Sequence, residues 1–167
     1  YLPPVNLMRD VDEHRHEEKH FPLEIIRCDN CGLVQLGHVV DQEVLFPETY
    51  PYLSGTTNIL RENFKQQFEK VHSLVSLTEE DLVIDIGSND GTLLANYSEF
   101  GCKVIGVEPS QAADVANNNG INTMKCYFND SSSAAILDEH KPAKVVTACN
   151  VFAHMPDVNG ILNNIHN

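Results

Sequence analysis

Short apolar runs alternate with amphipathic blocks from residue 81 onward. The runs are DLVIDIG (81–87), KVIGVEP (103–109), INTMKCYF (121–128) and AKVVTACN (143–150). Between and after them come GTLLANYSEF (91–100), SQAADVANNN (110–119), SSSAAILDEH (131–140) and MPDVNGILNNI (155–165). Near-continuous apolar strands separated by helices predict a parallel sheet covered on both faces, a doubly wound, Rossmann-like α/β fold in its first four strands. Ser110 is placed to cap the second helix of this series. Upstream, TTNILRENFKQQFEKVHSLV (56–75) spaces Ile59, Leu60, Phe64, Phe68, Val71 and Leu74 as a helix does, with Thr57 or Asn58 as its cap.

Residues 1–58 differ in character. PLEIIRC (22–28) and LVQLGHVV (33–40) flank CDNCG (28–32), which reads as a hairpin with a knuckle at its tip. LFPETYPYLSG (45–55) reads as an ordered loop, and RDVDEHRHEEKH (9–20) as a charged surface stretch. The chain thus divides into a small β module at 1–58 and an α/β domain at 59–167. It starts without Met and stops partway through a strand–helix repeat, and reads as a piece of a longer protein.

Composition narrows the partners. A net charge of −13 and a pI near 4.8 argue against nucleic acid and anionic membrane surfaces. A hydrophobic share of 42% suffices for a core, and no apolar run is long enough for a membrane span. Five cysteines with no signal peptide point to a reduced, cytoplasmic setting.

The chemistry concentrates at VIDIGSNDGTLL (83–94). Gly87 lets the backbone turn, Gly91 lets the next helix approach a ligand, and Asn89 replaces the middle glycine of the usual nucleotide-binding pattern. Glu108 ends the second strand about 20 residues on, where an acid binds ribose hydroxyls. A dinucleotide would lay its pyrophosphate on the helix N-terminus, where Asp90 repels it. S-adenosylmethionine has no phosphate and carries two cationic groups, so Asp85 and Asp90 suit its methionine end. It is the expected cofactor. After the third strand, Phe128 could pack on adenine with Asn129 or Asp130 bonding its amino group; a core Phe followed by a helix cap fits the same residues. Asn150 and His154 follow the fourth strand on the ligand-binding side. A His there serves as general base or substrate anchor, or equally as a helix-start residue bonded to backbone.

Taken together, FPLEIIRCDNCGLVQL, YPYLSG, VIDIGSNDGTLL, GVEPS and NVFAHMPD resemble the S-adenosylmethionine-dependent nucleotide-sugar C-methyltransferases. The resemblance spans nearly the whole chain. It implies an N-terminal zinc-binding module, a class I methyltransferase core, and a C-terminal domain that helps hold a sugar nucleotide. The implied reaction is C-methylation of a nucleotide-linked keto-deoxysugar, dTDP-linked, through an enolate. It also implies that Tyr50 and Tyr52 line the sugar pocket and that Asn150 and His154 reach the reacting centre. The family's zinc site takes two cysteine pairs, of which only Cys28 and Cys31 are present; His14, His16 and His20 stand nearby in sequence. Cys102, Cys126 and Cys149 read as ordinary strand cysteines. The family's Tyr/Glu/His-rich catalytic motif and later strands lie beyond residue 167, so the parent reads as an enzyme and this piece as incomplete for catalysis. Competing readings are an O- or N-methyltransferase of another metabolite, a non-catalytic nucleotide-binding and zinc module, and a dinucleotide-dependent oxidoreductase, which the acidic loop opposes. The particular sugar, the carbon and the oligomeric state are not encoded in these motifs.

Overall fold

Every apolar block after residue 81 becomes a strand and every amphipathic block a helix in the structure, a computed structural model that describes residues 19–166. The chain divides into two compact units that meet between Pro47 and Glu48. Residues 48–58, grouped with the N-terminal module on composition, are therefore part of the second unit.

In the first unit β1 (Ile25–Arg27) pairs antiparallel with β2 (Val34–Leu36), with Ile26 opposite Gln35. Their connection is the predicted knuckle: Cys28 donates its backbone N–H to Leu33 at 2.8 Å, and Gly32 donates to the Cys28 carbonyl at 2.9 Å. Both strands are exposed along their length, so backbone pairing rather than burial defines this hairpin. A single-turn helix, α1 (Gln42–Leu45), follows, with the Asp41 carboxylate accepting from the Glu43 amide.

The second unit opens with α2 (Asn58–Leu74), whose cap is Thr57. Phe64, Phe68 and Val71 pack inward, whereas Ile59 and Leu74 are 77% and 72% exposed. Those two positions fall outside the stripe that one helix face can present to the core. Then come β3 (Leu82–Ile86), α3 (Thr92–Phe100), β4 (Lys103–Val107), α4 (Ala112–Asn118), β5 (Thr123–Met124), α5 (Asp130–Glu139), β6 (Val145–Thr147) and α6 (Val158–His166). The four strands run parallel in the order β5-β4-β3-β6. β3 is central and wholly buried. Val83 faces Leu93, Leu94 and Tyr97 of α3, while Ile84 and Ile86 join Ile105, Val107 and Ile136 in a second core. The parallel, doubly covered α/β sheet expected from the pattern is the fold observed.

The two outer strands are shorter than their apolar runs. β5 pairs only with Gly106 and Val107, and Cys126 turns back to bond the Met124 carbonyl at 3.0 Å, which takes the chain out of the sheet. β6 pairs only with β3 and ends before Asn150, whose φ of 57° is left-handed and cannot continue a strand. At the start of α4, the Ser110 hydroxyl accepts from Ala112 at 3.2 Å. No described helix is long and apolar enough to cross a membrane.

Tyr97 is fully buried and its hydroxyl has no hydrogen-bond partner among the described residues. Removing an unpaired buried hydroxyl relieves a desolvation cost. Tyr97→Phe should therefore be neutral or stabilising by about 1 kcal/mol in urea unfolding, whereas Leu94→Ala, which empties a packed site, should cost about 3 kcal/mol. A loss comparable to that of Leu94→Ala in the Tyr97 variant would mean that its hydroxyl is bonded in solution.

Candidate functional site

In the order β5-β4-β3-β6 the direction of winding reverses at β3, and ligands of such sheets bind beyond the carboxyl ends of the strands at that point. Two loops meet there: residues 87–91 after β3, and residues 148–154 after β6. Gly87 has φ +69°, and a Cβ at this position would run into the Val151 side chain. Only glycine lets the two loops close together here.

Glu108, at the end of β4, is buried, and its carboxylate ties adjacent strands. One oxygen accepts from the Asn89 amide at 3.1 Å and the other from the Ser110 amide at 2.9 Å. Each oxygen retains a lone pair, so vicinal hydroxyls could still be accepted. Asp85, on β3, is also buried; it accepts from the Thr147 hydroxyl at 2.6 Å. Burial, chiefly, and then the negative charge of Glu108 push the Asp85 carboxyl up to about 7, against the opposing pull of Thr147.

Asn89 and Asp90 work on the segment before α2. There the chain makes a single 3-10 turn, Ser54–Thr56. Asn89 holds φ 52°, accepts from the Ser54 amide at 2.7 Å and donates to the Tyr52 carbonyl at 2.9 Å. Asp90 accepts from the Gly55 amide at 2.7 Å through one oxygen, and through the other from Thr92, by its amide at 3.2 Å and its hydroxyl at 2.6 Å. A carboxylate supplied by the protein itself thus sits over the N-terminus of α3, where a phosphate would otherwise bind.

Asp85, Gly87, Asn89, Asp90, Gly91 and Glu108 are brought together at the switch point, with Asn150 and His154 on the neighbouring loop. Asn150 is exposed in its left-handed conformation, and His154 ends a 3-10 turn, Phe152–His154. Tyr50 and Tyr52 lie 6.5 Å apart between ring centroids, immediately before the turn that Asn89 holds. Phe128 packs against the Ile84–Ile136 core and lines a pocket of about 100 Å³ beneath α5 and α6. Asn129 forms a capping box with Ser132 at the start of α5. The core Phe and helix cap account for both residues without a ligand. Thr147 carries no sequence signal for this site, and the YPYLSG motif does not tell what Ser54 and Gly55 bond; their roles arise from contacts across the chain.

In the first unit, the backbone N–H groups of Cys31 and Asn30 bond the Cys28 thiol and lower its pKa, which favours a metal-binding thiolate. Cys28 and Cys31 fit two positions of a tetrahedral zinc site. Among the described residues no third ligand gathers with them; His14 and His16 lie outside those residues. Cys102, Cys126 and Cys149 are free, and burial raises all three thiols.

The Asp85 shift has a definite sign. Its folded pKa, about 7, lies above the ordinary 3.8, so protonated Asp85 stabilises the fold fully below about pH 4 and that contribution is lost as pH rises through 7. Asp85→Asn should therefore gain on the wild type by a few kcal/mol at pH 8, at about 1.4 kcal/mol per pKa unit, with the gap closing towards pH 4. Equal urea midpoints at pH 8 would contradict this burial account.

Comparison with known proteins agrees with this fold. A family model described as "Methyltransferase domain" matches residues 59–167, and one described as "Putative zinc binding domain" matches residues 1–46. The chain is 32% identical over 161 residues to C-methyltransferase NovU of Streptomyces niveus, an alignment covering 96% of this chain and 38% of that protein. The chain therefore spans well under half the length of that relative. With a parallel sheet, a glycine-bounded loop at its switch point and a strand-end acid beside it, the chain belongs to the methyltransferase domain family.

Proposed function

We propose that this chain carries the cofactor-binding part of an S-adenosylmethionine-dependent C-methyltransferase whose acceptor is a nucleotide-linked keto-deoxysugar. The observation that carries the cofactor is the Asp90 carboxylate seated on the α3 N-terminus, which fills the place a dinucleotide's pyrophosphate needs. Glu108, buried beside it with spare acceptor capacity, suits a ribose diol. The name of the relative favours carbon as the methylated atom. The sugar acceptor rests on the sequence resemblance of the tyrosine segment and the 150–157 loop.

When bound, S-adenosylmethionine supplies an electrophilic methyl group on a sulfonium centre. Glu108 holds the ribose, and the Gly87–Gly91 backbone gives the loop room to approach it. Tyr50 and Tyr52 line the sugar side. Asn150 and His154, beyond the carboxyl end of β6, attend the carbon beside the keto group; the His154 imidazole accepts the proton that leaves this carbon, and the C–H electron pair stays behind in the enolate. Cys28 and Cys31 would supply two of the four ligands of a zinc ion in the N-terminal module.

Calorimetric titration of the folded chain with S-adenosylhomocysteine and, separately, NADH tests the cofactor. Saturable binding of the first alone is expected. Glu108→Ala, checked for folding by circular dichroism, should weaken it at least about tenfold, the worth of one or two charge-assisted hydrogen bonds. Saturable NADH binding without S-adenosylhomocysteine binding would overturn the reading.

A further inference from the structure

The middle glycine of the usual nucleotide-binding pattern is Asn89 here, and the structure shows what its side chain does. Its amide oxygen takes the Ser54 N–H at 2.7 Å and its amide nitrogen gives a hydrogen to the Tyr52 carbonyl at 2.9 Å. The carboxamide thus brackets one stretch of backbone as a neighbouring strand would. These two partners also settle which end of the amide is oxygen. From the other side, the Asn89 backbone N–H reaches Glu108 at 3.1 Å. An unbroken chain of hydrogen bonds therefore runs from the acid assigned to the ribose, through Asn89, to the segment bearing Tyr50 and Tyr52.

A second strap runs in parallel. Asp90 joins the N-terminus of α3 to the Gly55 amide, and the Arg61 guanidinium fixes the Gly55 carbonyl from α2 at 2.6 Å. A Cβ on Gly55 would lie 2.6 Å from the Thr92 hydroxyl and 3.0 Å from Asp90, so only glycine permits this approach. Glycine at position 89 would also accept the backbone's left-handed φ of 52°. What glycine lacks is the bracket.

We propose that Asn89 is a positioning residue that couples cofactor occupancy of the 87–91 loop to the placement of the Tyr50–Gly55 segment. This rests on the cofactor reading above. A ligand that orders the loop must then order the turn, and by linkage an acceptor that orders the turn tightens the cofactor. The substrate-side tyrosines are set by the cofactor loop itself.

Hydrogen exchange resolved at single amides tests this. In the wild type, saturating S-adenosylhomocysteine should slow exchange at Ser54 and Gly55 about tenfold or more, along with Asn89 and Ser110. Without ligand, Asn89→Gly should speed exchange at Ser54 about tenfold, the worth of a buried hydrogen bond, while the amides of β3 and β4 keep their protection. In that variant, Ser54 should no longer respond when ligand protects Ser110. Gly55→Ala, which blocks the approach from the opposite side, should reproduce the loss of response. If ligand slows Asn89 and Ser110 but leaves Ser54 and Gly55 unchanged in the wild type, the coupling is overturned. If it slows no amide, the cofactor reading fails instead, and the ligand-free comparison still decides whether Asn89 holds the turn.

Discussion

The site depends on one buried carboxylate. Glu108 lies at the end of β4 and is held by two backbone amides, one from the loop after β3 and one from the segment entering α4. A buried acid is tolerated only when its lone pairs meet donors. Meeting them here joins two strand-to-helix connections side by side. The space beyond the sheet inherits its shape from that junction.

A second acid then has to respond. Asp85 lies on the adjacent strand, and Glu108's charge adds to burial in driving it towards neutrality. Asp90, the third, is less deeply placed, and Thr92 and Gly55 supply its donors at the N-terminus of α3. Three carboxylates thus occupy three different environments within one loop region. One spans two loops, one leans on Thr147 beneath the loop, and one occupies the helix terminus that a phosphate would seek. The last of these makes the site ill-suited to dinucleotides and compatible with a cofactor that has no phosphate.

Glycine placement follows the same constraint. Gly87 is required because Val151, from the loop after β6, closes on it, and Gly55 because Thr92 and Asp90 close on it. Each marks a place where side chains from a different part of the chain come as near as atoms allow. The N-terminal hairpin is organised differently: its strands are exposed, and its order lies in the turn and in the amides that bond the Cys28 thiol.

Strand and helix identities were readable from the chain because each depends on local periodicity: period two or continuous apolarity for the buried strands, and a stripe for α2. The glycine-bounded loop and Glu108 were readable for the same reason, since their spacing follows from one strand–turn–helix unit and the next. The cap of α2 was readable to within two residues, Thr57 or Asn58, of which the structure uses Thr57. Strand lengths were not, because β5 and β6 stop where pairing partners end, which is a property of the assembled sheet. Phe128 and Asn129 admitted a ligand or a structural reading in sequence; packing against Ile136 and the Ser132 capping box supply the structural one. The partners of Asp85, Asn89 and Asp90 were equally hidden. Thr147 is 62 residues from Asp85, and Ser54 and Gly55 are each 35 residues from their acceptors. Sequence alone determined the strand–helix order and the acidic character of the loop, because both are written in neighbouring residues. Which atoms those acids hold was decided by the tertiary structure, since a hydrogen bond between distant segments exists only once the sheet has brought them together.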